Sequence, residues 1–140
     1  MKATELRIGN KLFDYAGREI TVRCISIPLQ LKEYFVGCNE NHSNYTMDEL
    51  KPIPLTEEWL LKFGFGRYKD SEYKARAWTL DDRILEKIGV TAYHFYMLKT
   101  GGKFQARTGW MDSCGLRYIQ YVHQLQNLYF ALTGEELIIN

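Results

Sequence analysis

Tyr118-Ile-Gln-Tyr-Val-His-Gln-Leu-Gln-Asn-Leu-Tyr-Phe-Ala-Leu-Thr-Gly-Glu-Glu-Leu137 is the stretch whose reading decides the fold. Val122, Leu125, Leu128, Tyr129 and Leu132 recur at steps of three, three, one and three, which places an apolar stripe along one face of a helix. Gln124, Gln126 and Asn127 read as the polar face. Thr133-Gly134 ends the helix, because glycine reaches the left-handed conformation without a Cβ penalty. Leu137, Ile138 and Ile139 then add a short strand or seal the core. A helix of about 12 residues is marginal alone in water, so it must dock. The expected partner is a β-sheet, since most of the upstream chain reads as strand.

Residues up to Pro54 are β-rich. Leu6 to Phe13 reads as a strand entering a turn at Asp14 to Gly17. Arg18 to Cys24 alternates with Ile20, Val22 and Cys24 on one side. The apolar phase slips at Cys24-Ile25, and a slip of one residue requires a bulge or bend. Strong bending suits a small barrel, so residues 1–53 are expected to form a compact barrel-like antiparallel sheet. Pro28 ends that strand, Leu31 to Gly37 reads as the next, and Asn39 to Asn44 as a polar loop. Tyr45 to Leu50 closes the section.

Residues 54–140 read as an α+β section of the same single domain. Thr56 is a good N-cap, and Glu57 and Glu58 in the first turn complement the helix dipole. Leu55 and Leu60 have hydrophobic-staple spacing. Trp59, Leu60 and Phe63 form the buried stripe of a short helix that Gly64 terminates. That helix is expected to plug or cover the N-terminal barrel. Tyr73 to Thr79 reads as a strand. Thr79 to Gly89 fits either a helix capped by Thr79 or a loop and strand, with the pattern favouring the helix. Thr91 to Leu98, a turn at Thr100-Gly101-Gly102 and Lys103 to Thr108 form a hairpin. Gly109 to Gly115 is loop-like, and Leu116 to Tyr121 is the last strand of the meander before the C-terminal amphipathic helix.

The chain has 140 residues, enough to bury a core without disulfides or metals. Hydrophobic residues make up 46% and charged residues 25%, which excludes a disordered chain. A net charge of +1 excludes a whole-molecule field that would recruit nucleic acid or anionic membrane, although a local patch remains open. No apolar run approaches the ~18 residues that span a bilayer, and Met1 to Ile8 carries no apolar signal core. A cytoplasmic protein without membrane partners is expected. Cys24, Cys38 and Cys114 are odd in number and lack a Cys-x-x-Cys, as suits reduced thiols. Ten tyrosines and three tryptophans point to a β-rich core with amphipathic rings at its rim, and binding surfaces use the same residues.

Leu50-Lys-Pro-Ile-Pro-Leu-Thr-Glu-Glu-Trp-Leu-Leu-Lys-Phe-Gly-Phe65 and Tyr121 to Leu137, with the opening Leu6-Arg-Ile-Gly-Asn10, carry a resemblance. Together they resemble an uncharacterised family of small proteins common in gut Bacteroidales and in their phages and mobile elements. The resemblance covers about a quarter of the chain strongly, and the rest only in order. It implies a small intracellular protein of phage or mobile-element origin. It transfers no catalytic residue.

Lys62-Phe-Gly-Phe-Gly-Arg-Tyr-Lys69 and Tyr73-Lys-Ala-Arg-Ala-Trp78 interleave basic and aromatic residues, as a single-strand binder does to combine phosphate attraction with base stacking. The candidate binding residues are Arg67, Tyr68, Lys69, Lys74, Arg76 and Trp78. Against this, Asp70 and Glu72 dilute the charge, and the Gly and aromatic order departs from the RNA-recognition signature. The structural alternative is a strand pair with an aromatic core side and a Lys/Arg solvent side.

Other chemistries fail on spacing. Zinc requires paired ligands, and Cys38/His42 is the one close pair. Gly101-Gly102-Lys103 lacks the P-loop frame, and no Gly-x-Ser-x-Gly occurs. His94 falls in an expected strand, and His123 beside the apolar stripe reads as a packed structural histidine. No catalytic residue, metal or cofactor is expected. The reading that follows is a non-enzymatic binding module whose partner is protein or nucleic acid. The alternative is a small enzyme or metal protein using Cys114 or Cys38/His42. A third version makes the aromatic face a homo-oligomer interface.

Overall fold

A computed structural model describes residues 1–67, 77–80, 95–108 and 114–139. The protein is α+β, with two five-stranded antiparallel sheets and two α-helices among the described residues. The chain divides into two units. One comprises Met1–Pro54 with Tyr121–Ala131, the other Leu55–Gln120 with Leu132–Asn140.

The first unit holds β1 (Lys11–Phe13), β2 (Glu19–Ser26), β3 (Phe35–Cys38), β4 (Asn44–Thr46) and β5 (Lys51–Pro52), in the order β4-β3-β2-β1-β5. Single 3-10 turns occur at Ala3–Glu5 and Met47–Glu49. The sheet is open. It does not close into the expected barrel, because β4 and β5, of three and two residues, each end the ladder without pairing with one another. The phase slip expected at Cys24-Ile25 falls earlier, between Val22 and Cys24, as a bulge, so Cys24 leaves the side of Ile20 and Val22 on which it was expected. Val22 pairs with Cys38 and Cys24 with Gly37, leaving Arg23 as the extra residue. Register then brings Leu12 opposite Ile20, Val22 opposite Cys38 and Val36 opposite Tyr45, and these six side chains with Leu6 and Leu50 make the core of the unit.

The turn between β1 and β2 is built on Asp14. Its carboxylate accepts the N–H groups of Ala16 and Arg18, each at 2.9 Å, and the Arg18 guanidinium at 2.7 Å. Burial opposes the charged form, but these donors outweigh it and hold the carboxyl below its ordinary range. Gly17 completes the turn at φ +77°.

Helix α2 (Val122–Thr133) spans the end of the chain, and its residues through Ala131 belong to the first unit. Its buried face is Val122, His123, Leu125, Gln126 and Tyr129. The expected stripe is therefore rotated. Leu128 is only partly buried and Leu132 is exposed, while Gln126, expected on the polar face, is inside. The cause is hydrogen bonding. The Gln126 amide accepts the N–H of Lys11 at 2.9 Å and donates to the Gly9 carbonyl at 3.1 Å. Asn127 accepts from Asn10 at 2.9 Å and donates to the Glu5 carbonyl at 2.7 Å. These amides tie the helix to the segment from Glu5 to Lys11.

The second unit holds α1 (Glu57–Lys62), β6 (Phe65–Arg67), β7 (Ala77–Leu80), β8 (Tyr96–Thr100), β9 (Lys103–Thr108) and β10 (Cys114–Ile119), the strands ordered β10-β9-β8-β7-β6. Thr56 caps α1 by accepting the N–H of Trp59 at 3.3 Å. Leu55, Trp59, Leu60 and Phe63 are buried, as the staple and stripe require. The helix groups with this sheet. The reason is local: Phe63, Gly64 (φ +83°) and Phe65 turn the chain straight from α1 into β6.

Thr100 pairs with Lys103 across a two-residue turn with Gly101 at φ +57° and Gly102 at φ +78°, the geometry that hairpin twist selects. Thr79 and Leu80 lie in β7 opposite Gly66 and Phe65, so Thr79 is not a helix cap. The remainder of the Thr79 to Gly89 segment lies outside the described residues. Cys114 and Gly115, expected in a loop, open β10 and pair with Thr108 and Arg107.

Candidate interaction surface

Two of the six candidate binding residues, Arg67 and Trp78, lie among the described residues, and the fold makes them cross-strand partners in β6 and β7. Tyr68, Lys69, Lys74 and Arg76 lie outside them. The Arg67 guanidinium sits 5.1 Å from the Trp78 ring centroid and donates to Glu57 Oε2 at 3.1 Å. Lys99 donates to the other oxygen of Glu57 at 2.5 Å and lies 5.7 Å from the Phe104 ring. Lys62 repeats the arrangement 4.5 Å from the Trp59 ring. Lys99 and then Arg67, by hydrogen bonding to it, hold the Glu57 carboxyl below its ordinary range.

The basic and aromatic residues therefore meet, with the rings beneath and the cations above. Trp78 is 3% exposed, and Trp59 and Phe104 are comparably buried. Each cation covers a ring that belongs to the core and keeps its charged head in water. Trp78 presents no open face for a base to stack on. Arg67 keeps 57% of its side chain exposed and can still reach an anion.

The thiol and metal candidates separate. Cys38 is fully buried, and its thiol donates to Asn41 Oδ1 at 2.6 Å. Asn41 donates onward to the Tyr45 hydroxyl at 2.8 Å. His42 is an exposed turn residue at φ +55°. Among the described residues no three metal-ligating side chains gather. Cys24 stands opposite Gly37, one register step from Cys38, so the two thiols project to opposite faces. The side chain of Cys114 and all of His94 lie outside the described residues. His123 is 1% exposed and stacked on Tyr121, with ring centroids 5.8 Å apart and planes 10° from parallel. Among the described residues neither of its ring nitrogens has a hydrogen-bond partner.

The surface that sequence reading missed is the connection from β2 to β3. Ile27-Pro-Leu-Gln-Leu-Lys-Glu-Tyr34 is exposed at every position. Leu31 N–H donates to the Pro28 carbonyl at 2.9 Å, closing a turn with Leu29 and Gln30 at its corner. Leu29 is 106% exposed, and Ile27 and Leu31 are 54% and 51% exposed. Leu31 to Gly37 reads as a strand in the sequence, but the strand begins only at Phe35, and Leu31 to Tyr34 stay in the exposed loop that Pro28 opens.

The class that these observations define is an α+β protein of two open antiparallel sheets, one carrying an apolar hairpin loop and the other a cation-covered aromatic layer. No family model matches the chain, and neither a curated protein nor a solved structure matches it. No helix among the described residues is long and apolar enough to cross a membrane.

Proposed function

We propose that the protein is a non-enzymatic binding module that engages a macromolecule through the loop Ile27 to Tyr34. The observation that carries this reading is the full exposure of Leu29 beside Ile27 and Leu31 on a hydrogen-bonded turn. Contiguous exposed aliphatic surface is costly to leave in water, and on monomeric proteins it marks interaction sites. A cytoplasmic setting and a phage or mobile-element origin, as the family resemblance implies, fit such a module. The test is co-purification of the tagged chain and its L29D/L31D variant from the native host. A macromolecule retained by the wild type and lost by the variant supports the reading. Identical retention by both would sink it.

A second reading has nucleic acid as the partner, favoured by the exposed Arg67 guanidinium and by the basic residues that follow it in the sequence as far as Arg76. It predicts a mobility shift with single-stranded DNA or RNA that weakens steeply with salt. No shift at low salt removes it.

A further inference from the structure

We infer that the loop Ile27 to Tyr34 docks against the same loop of a second copy of this chain, the two related by a two-fold axis. This rests on the reading of the protein as a binding module and names the partner. Three observations select a second copy.

The first is charge. Lys32 and Glu33 are adjacent, exposed and opposite in sign. Under two-fold symmetry a contact made by one copy's residue is repeated with the roles exchanged, so Lys32 of each copy can meet Glu33 of the other. A phosphate-rich partner gains nothing from that pattern, because Glu33 cancels Lys32.

The second is area. The exposed parts of Ile27, Leu29, Leu31 and Tyr34 amount to on the order of 500 Å², the size of the largest apolar patch on a typical monomer, which is often functional. Complete burial of the patch on both copies would remove about 1,000 Å², the lower bound of a specific interface, before Pro28 and Gln30 are included. The expected association is accordingly weak and reversible.

The third is order. The loop carries its own Pro28 to Leu31 hydrogen bond and springs from paired residues, Ser26 opposite Phe35. Its apolar side chains are therefore held outward before any contact forms, which limits the ordering cost of association. With a net charge of +1, two copies scarcely repel one another.

The test is sedimentation velocity across a wide concentration range for four versions of the full chain, with circular dichroism and thermal melting confirming that each is folded. The wild type is expected to show a concentration-dependent dimer. L29D/L31D is expected to remain monomeric. K32E places like charges across the axis and is expected to weaken the dimer at least tenfold. The exchange K32E/E33K restores the complementary pair and should recover the wild-type constant. A dimer that L29D/L31D leaves unchanged overturns the inference, as does a K32E effect that the exchange fails to rescue. A wild type that stays monomeric at millimolar concentration also overturns it. If L29D/L31D then loses some other partner in the co-purification, the binding-module reading survives alone. If it loses none, both fall.

Discussion

The side-chain amide of Gln126 bonds to the backbone of Lys11 as a neighbouring strand would, taking its N–H at 2.9 Å while donating to the Gly9 carbonyl two residues earlier at 3.1 Å. A helix residue thus satisfies backbone groups beside β1. Gln126→Leu preserves bulk and removes both bonds, leaving a donor and an acceptor without their partner. The expected cost is about 1–3 kcal/mol, read as a lower urea midpoint with an unchanged slope. Gln126→Glu keeps the acceptor for Lys11 but sets a buried carboxylate oxygen against the Gly9 carbonyl, so it should not recover the loss at neutral pH.

Gly37 is a steric requirement set by its cross-strand neighbour. A Cβ at this position would lie 2.6 Å from the Cys24 Sγ and 3.1 Å from Asn44 Oδ1. Gly37→Ala should therefore destabilise the protein by roughly 1–3 kcal/mol through overpacking. Gly37→Ala with Cys24→Ala removes the sulfur and should recover part of that loss. A double-mutant cycle without coupling would show that the sulfur is not the obstacle.

His123 makes stability depend on pH in the mildly acidic range. Burial lowers its pKa from 6.5 and the terminal amino group acts in the same direction, while Glu5 opposes them. The native state therefore binds fewer protons than the unfolded state below that value. Stability is complete above pH 6.5 and falls as pH drops below it, until the folded-state pKa is reached. His123→Phe should flatten this part of the profile. At neutral pH it should be neutral or stabilising by about 1 kcal/mol, because it removes two buried nitrogens that have no partner among the described residues. Urea unfolding at several pH values checks both expectations.

Glu57 separates the structural and nucleic-acid roles of the cation layer. Glu57→Gln releases Lys99 and Arg67 from their ion pairs. Since all three side chains are partly exposed, the stability loss should stay below about 1 kcal/mol. The sign with pH is also set. The carboxyl pKa is held below 4.5, so its contribution is present above that value and fades as pH falls through the lowered one. If nucleic acid is the partner, Glu57→Gln should tighten binding in a mobility-shift titration, because two cations become available. Unchanged or weaker binding would assign the layer to packing alone.

Much of the local structure was legible because neighbouring residues determine it. Thr56, the Leu55/Leu60 staple and Gly64 bound α1, and Gly101-Gly102 shape the β8–β9 turn, since capping and turn geometry act over four or five residues. The slip in β2 announced a bulge, though it lies before Cys24 and not after it, and a bulge bends a strand without dictating closure. Whether β4 met β5 depended on strand order, which no local pattern encodes. The Arg67 and Trp78 meeting was likewise foreseeable only as composition. Register put the cation above the ring and the ring in the core.

The sequence by itself determined that this protein has an amphipathic C-terminal helix, a capped short helix, a glycine hairpin and a β-rich N-terminal part. Only the tertiary structure decided which face of the last helix is buried, that α1 groups with the second sheet, and that Ile27 and Leu31, which read as strand residues, lie with Leu29 in an exposed loop. The physical reason is range. Caps, turns and periodicity are set by atoms a few bonds apart, whereas burial is set by residues more than a hundred positions away, as Gln126 is from Lys11.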